Sequence, residues 1–167
     1  MTKTNFYKKI LDPSDLTIQL TQIKSLGSIV FTNGVFDVIH RGHVTYLDLA
    51  SQLGKVLIVA LNTDSSARLL GKGEDRPLNT LIDRIQVIAA LESVSYVTWF
   101  DEHTPLEIIK LIRPDILVKG GDYDMGILPE THFVKSYGGN AQTINFVDGY
   151  STTGLVQKIL KNKLTQL

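Results

Sequence analysis

The chain has no cysteine. That excludes a disulfide framework and any thiolate metal site, and it fits the cytoplasm, which is the expected compartment. Neither sign of charge is in excess. Seventeen Lys and Arg stand against 17 Asp and Glu, a formal net charge of +0. A general nucleic-acid binder would carry a basic surplus, so no nucleic-acid partner is expected. No apolar run approaches the roughly 18 residues of a membrane span, and no apolar segment follows the charged N-terminus, so neither a membrane role nor a secretory signal is expected. Internal repeats, low-complexity tracts and linkers are also missing. So are three catalytic signatures: a Walker A loop, a Gly-x-Gly-x-x-Gly turn after the first strand, and a nucleophilic serine elbow. Their absence argues against P-loop chemistry, ordinary dinucleotide oxidoreduction and triad hydrolysis.

What is present is one domain's worth of alternating strands and helices. At 167 residues and 43% hydrophobic content the chain can bury a sizeable core. Residues 12–26 read as a helix, with Pro13 at its start, Leu16, Leu20 and Ile23 at helical spacing and Gly27 at its end. Strands are expected at 28–32, 56–61, 94–100, 116–118 and 143–147. Helices are expected at 44–53, 81–91, 105–112, 129–137 and 151–161. Residues 62–78 read as a polar loop or a partly helical lid that closes over substrate. This alternation implies an α/β fold, a doubly wound parallel sheet in a single domain. Residues 1–27 are expected to form a helical extension and 28–167 the main domain. In such folds ligands bind at the carboxyl ends of the strands. The clusters 33–43, 62–76, 119–124 and 148–153 all fall there.

The most informative cluster is Thr32-Asn33-Gly34-Val35-Phe36-Asp37-Val38-Ile39-His40-Arg41-Gly42-His43. Gly42 lets backbone approach a ligand closely, and the helix start offers free N–H groups to phosphate. Two imidazoles there can donate hydrogen bonds as charge builds on phosphate oxygens. Taken alone, the pair could equally be exposed loop histidines. Asp37 is read either as a turn residue or as a group acting through water on a metal. Ser151, Thr152 and Thr153 follow Gly149 at a helix start, where one hydroxyl caps the helix and the others are free to hold an anion. Arg76, Arg84 and Lys72 are candidate phosphate ligands or plain surface charges. Lys119-Gly120-Gly121-Asp122 is a glycine turn after a strand, and Asp122 can accept from hydroxyl or amino groups.

Together these clusters resemble the cytidylyltransferase-like nucleotidyltransferase superfamily, with its His-x-Gly-His and Ser-Thr-Thr motifs, over residues 28–160. Within it, the runs 31–43, 76–77, 117–123 and 148–153 most resemble the adenylyltransferases of ADP-heptose synthesis, here without the kinase half found in fused forms. The resemblance implies a Rossmann-like fold and transfer of AMP from ATP to D-glycero-D-manno-heptose 1-phosphate, with Mg²⁺ held mainly by ATP phosphates. The product would feed lipopolysaccharide core or other surface glycans. The resemblance assigns catalysis to His40, His43, Arg84 and Lys72. It assigns nucleotide binding to Thr32, Asn33, Gly34, Phe36, Gly42, Asn62, Arg76, Lys119, Gly120, Asp122, Ser151, Thr152 and Thr153. No protein metal ligands are expected. Because family members are often dimers or larger, a homo-oligomer is expected. Two alternatives stand beside this: a cytidylyltransferase acting on glycerol 3-phosphate or another small phosphate, and a non-catalytic nucleotide-binding module. The glycerol 3-phosphate enzymes usually carry an arginine where Phe146 stands, which weakens the first.

Overall fold

The computed structural model describes residues 5–71, 76–121, 124–145 and 149–164. Five strands form one sheet: β1 (Ile29–Gly34), β2 (Val56–Asn62), β3 (Tyr96–Phe100), β4 (Ile116–Gly120) and β5 (Asn140–Ile144). Every pairing is parallel and the order is β3-β2-β1-β4-β5. Seven α-helices accompany them: α1 (Leu16–Ser25), α2 (Arg41–Ser51), α3 (Asp64–Leu69), α4 (Leu81–Ala89), α5 (Leu106–Ile112), α6 (Pro129–Ser136) and α7 (Thr152–Leu164). The doubly wound α/β fold expected from the sequence is the one observed.

Strand periodicity explains the layering. Alternate side chains leave opposite faces of a strand. Ile29 and Phe31 of β1 therefore join one core with α1, α5 and α6, through residues such as Leu20, Ile109 and Val134. Val30 joins the other with α2 and α4, through Leu47 and Ile88. All seven residues of β2 are buried, as a central parallel strand covered on both faces requires. The chain winds outward from β1 to β3, then crosses back to place β4 on the other side of β1. The order reverses between β1 and β4, and a crevice opens at their carboxyl ends.

Several boundaries differ from the sequence reading. Strand β1 runs on through Asn33 and Gly34, because both still pair with β2 at Ala60 and Leu61. Helix α2 starts at Arg41 rather than 44, with His40 as its N-cap, so Gly42 and His43 lie in its first turn. Helix α3 forms inside the expected loop 62–78, capped by the Thr63 side chain on the Ser66 N–H. Strand β5 begins at Asn140, three residues early. Asn140 N–H bonds the Asp115 carbonyl at 2.8 Å as soon as the chain leaves the Gly138-Gly139 turn, and this sets the register. Residues 146 and 147 of the expected strand lie outside the described residues. The segment before β1 is built into the domain: Leu11 N–H bonds Val97 O at 2.8 Å, and Leu11, Leu16, Leu20 and Ile23 are core residues. Among the described residues no helix is long and apolar enough to cross a membrane.

Candidate active site

The site is built where four chain segments leave the sheet. After β1, the loop 35–40 turns back to start α2. Phe36 makes that turn with a left-handed backbone (φ 49), a conformation that favours glycine in most contexts. It is held there by burial at 6% exposure, and its ring occupies the space a Gly34 side chain would need, 3.0 Å from an ideal Cβ. Phe36 therefore supports the site from beneath, and its ring meets His43 edge-on, with centroids 5.4 Å apart.

His40 and His43 stack with ring centroids 3.9 Å apart and planes 25° from parallel. They stand on the first turn of an 11-residue helix, where backbone N–H groups and the helix dipole favour an anion. Burial holds the His40 pKa below the ordinary imidazole value. The stacked rings stand side by side at the helix start, where ring N–H groups can meet an anion. Gly42 is required between them, since a Cβ there would lie 3.0 Å from the His40 ring and 3.2 Å from Tyr150. That close approach brings the N-terminus of α7 beside the N-terminus of α2. Ser151 Oγ caps α7 by accepting from Gly154 N–H at 3.0 Å. Thr152 Oγ1 donates to Val38 O at 3.4 Å, and Arg41 Nη1 reaches the Tyr150 hydroxyl at 3.3 Å. Ser151 and Thr153 remain exposed at this junction.

Arg84, expected to contact phosphate, is instead a buried tie. It is 1% exposed. Its Nε donates to Asn79 O at 3.1 Å, Nη1 to Val35 O at 2.6 Å, and Nη2 to both Asn62 O at 2.9 Å and Asp64 Oδ1 at 2.7 Å. One guanidinium thus joins the exits of β1 and β2 to the start of α4. Asn62 is likewise interior, its side-chain amide donating to Ser66 Oγ at 2.9 Å. Thr32 is fully buried with its hydroxyl 2.6 Å from the Tyr46 hydroxyl, so it serves the core rather than the ligand face.

Asp37 completes the same tie. Its carboxylate accepts from Leu78 N–H and Asn79 N–H, both at 2.8 Å, and from Arg76 Nη1 at 3.1 Å, while its carbonyl accepts from Asn79 Nδ2 at 2.7 Å. Burial alone would raise this carboxyl's pKa. The two N–H groups and Arg76 outweigh it, and the pKa lies below the usual carboxylate value. The sequence reads Asp37 as a turn residue or as a group acting through water on a metal; the structure shows a third role, a long-range clasp on residues 76–79. Arg76 is held by Asp37 with its side chain 20% exposed.

On the other side of the crevice, Lys119 at the end of β4 is 9% exposed. Its Nζ lies 2.6 Å from Asn33 Oδ1 and 3.0 Å from Glu130 Oε1. Gly120 closes β4, and Gly121 N–H then bonds Ile144 O at 2.9 Å. Lys72 and Asp122 lie outside the described residues. The structure therefore brings His40, Gly42, His43, Ser151, Thr152 and Thr153 together on one side of the β1–β4 crevice. It sets Asn33 and Lys119 on the other side, and uses Thr32, Phe36, Asn62 and Arg84 as interior support. Glu130 was not singled out in the sequence. The signal for it was indirect: a lysine ending an apolar strand needs a buried partner.

The geometry meets its counterpart in known proteins. The cytidylyltransferase-like family model matches residues 31–158. The chain belongs to the cytidylyltransferase-like family. It is 55% identical to the D-beta-D-heptose 1-phosphate adenylyltransferase of Bordetella bronchiseptica, over 95% of this chain and 98% of that protein. It is 49% identical to the bifunctional protein HldE of a Marinomonas species, covering 93% of this chain but 32% of HldE. Among solved structures, the lipopolysaccharide core biosynthesis protein of Thermoplasma volcanium superposes with a TM-score of 0.60 at 26% identity, covering 75% of this chain and 99% of that one. Pantothenate synthetase of Thermus thermophilus, at 12% identity and a TM-score of 0.58, shares the fold, with 83% of this chain and 62% of that one covered. As a member of this family, the chain is a nucleotidyltransferase.

The Asp37 clasp has a pH signature. A carboxylate whose folded pKa is depressed contributes stability above its unfolded value, and that stability is lost as pH falls through the folded pKa. Asp37→Asn should cost about 1–3 kcal/mol at pH 7, from weakened charge-assisted hydrogen bonds. The gap to wild type should narrow below about pH 4, the unfolded carboxylate range. Denaturant curves at pH 7, 5 and 3 measure this, and a gap that stays constant with pH would contradict it.

Proposed function

We propose that this enzyme transfers AMP from ATP to D-glycero-D-manno-heptose 1-phosphate, releasing pyrophosphate and ADP-heptose, in the cytoplasm. The observation that carries the chemistry is the stacked His40–His43 pair on the N-terminus of α2 at the β1–β4 crevice, with the α7 N-terminus alongside. The acceptor is suggested by the Bordetella relative's name at 55% identity. The use of the product in lipopolysaccharide or surface-glycan synthesis is suggested by the name of the Thermoplasma structure.

The chemistry follows from the charges. A sugar phosphate oxygen is already ionised at neutral pH, so attack needs no general base. A bond forms from that oxygen to the α-phosphorus of ATP, and the bond from the α-phosphorus to the bridging oxygen breaks. The electron pair leaves with pyrophosphate. The protein must align the two phosphates and stabilise charge spreading over the equatorial and leaving oxygens. His40 and His43, through ring N–H groups, and the α2 and α7 N-termini would supply that stabilisation. Lys119 and Arg76 add positive charge around the crevice, and Lys72 would add more from the loop after α3. Mg²⁺ would be held mainly through the ATP phosphates and would there offset the developing negative charge. Among the described residues no group of three or more His, Asp or Glu is arranged to hold a metal alone.

Pyrophosphate release with Mg²⁺, crossing ATP and CTP with heptose 1-phosphate and glycerol 3-phosphate, tests the substrate assignment. Release should occur with ATP and heptose 1-phosphate. Release with CTP and glycerol 3-phosphate would overturn the substrates while keeping the chemistry. His43→Ala should lower kcat roughly 100-fold or more, the usual cost of losing a donor to a transition-state oxyanion, while ATP affinity changes far less. A kcat within a few-fold of wild type would remove His43 from the reaction.

A further inference from the structure

The crevice has two walls, and the proposed chemistry leaves the chemical state of the second unexplained. Lys119 shares a strand face with Leu117, which packs into the α1–α5–α6 core. Its ammonium group therefore approaches the crevice from the sheet face opposite to α2. Burying an ammonium beside a carboxylate gains little stability, and two apolar side chains would fasten α6 to the sheet as well. Yet Glu130, 4% exposed, is set in the first turn of α6 immediately after Pro129. The helix dipole there favours its charged form.

The hydrogen-bond count points to a ligand. A lysine ammonium has three N–H donors. Among the described residues Lys119 has two acceptors in reach, Asn33 Oδ1 at 2.6 Å and Glu130 Oε1 at 3.0 Å. Its side chain keeps 10% exposure, at the carboxyl end of β4. One donor is left for a substrate oxygen.

We propose that Glu130 is a positioning residue for nucleotidyl transfer: from the first turn of α6 it holds the Lys119 ammonium charged and aimed, with Asn33, into the β1–β4 crevice against the anionic substrate. This rests on the adenylyl-transfer reading for the identity of the anion but not for the state of the pair. The Lys119 pKa lies below the ordinary lysine value: burial pulls it down, and the adjacent Glu130 carboxylate offsets only part of that. From α6 the charged group facing Lys119 is Glu130. From β1 it is the neutral Asn33, and in β5 the residue in register is the neutral Thr143. The titratable groups of α2, His40 and His43, stand across the sheet. Asp122 follows β4 outside the described residues.

Two measurements on Glu130→Gln test the proposal. The first is the titration of Lys119 itself, followed by NMR of the isotope-labelled lysine side chain in the protein without substrate. The Lys119 pKa should fall in Glu130→Gln. The second is the pH profile of kcat/KM for ATP. Its alkaline limb should move to lower pH, with about a tenfold loss in charged Lys119 above the limb for each pH unit moved. Adding Lys119→Arg to Glu130→Gln should flatten that limb, because arginine stays charged. If the titration and the limb are unchanged in Glu130→Gln, with only thermal stability reduced, Glu130 is a structural tether and the proposal fails. If the titration shifts but neither nucleotide supports turnover, the substrate reading has failed and the pair's coupling stands.

Discussion

The structure depends on the buried guanidinium of Arg84. A parallel sheet delivers its strands to one edge, but nothing in the sheet fixes what the chain does beyond it. Arg84 does so from the interior, by bonding backbone carbonyls at the exits of β1 and β2, the Asp64 side chain and the carbonyl of Asn79. Backbone carbonyls are strong acceptors that must be satisfied when buried. A planar group with five donors can satisfy several at once in a fixed geometry. Asp37 then clamps residues 76–79 to the same loop. The two ties set the loop that presents His40 and His43.

The catalytic wall and its support therefore have opposite electrostatic characters. The support is charged and closed, with its donors and acceptors spent on each other. The wall facing the ligand is built from imidazoles, helix N-termini and hydroxyls, which present N–H and O–H groups. Such donors strengthen as charge develops on phosphate oxygens, and they need little rearrangement to do so. Full positive charge sits around this wall instead, on Lys119 and Arg76, each held by its own carboxylate.

Much of this was legible in the sequence where one segment carries the signal. The order of strands and helices, the place of Gly42 between the two histidines, and Ser151 as a cap all follow from local rules. The fold class follows from the alternation of strands and helices, and the family from the resemblance that those motifs carry. The misreadings share one cause: a side chain's partner came from elsewhere in the chain. Arg84 is open to either a surface or a phosphate role from its helix alone and takes the phosphate role only through the resemblance, and only the fold brings Val35 and Asn62 to it. Thr32 reads as a site residue because it adjoins Asn33, and its bond to Tyr46 depends on how α2 packs on β1. Glu130 carries no signal of its own in the sequence, and only the fold sets it beside Lys119. Helix α3 fits the partly helical alternative for residues 62–78, but six residues of polar sequence give no periodicity that would set its bounds.

The central claim is that an acceptor phosphate oxygen attacks the α-phosphorus of ATP directly in this crevice. Heptose 1-phosphate labelled with ¹⁸O in its phosphate group tests it, with the product read by mass spectrometry and ³¹P NMR. The account predicts that the label is retained in ADP-heptose, including the oxygen bridging the two phosphorus atoms, and that the released pyrophosphate carries none. An unlabelled bridge, or label in the pyrophosphate, would contradict it.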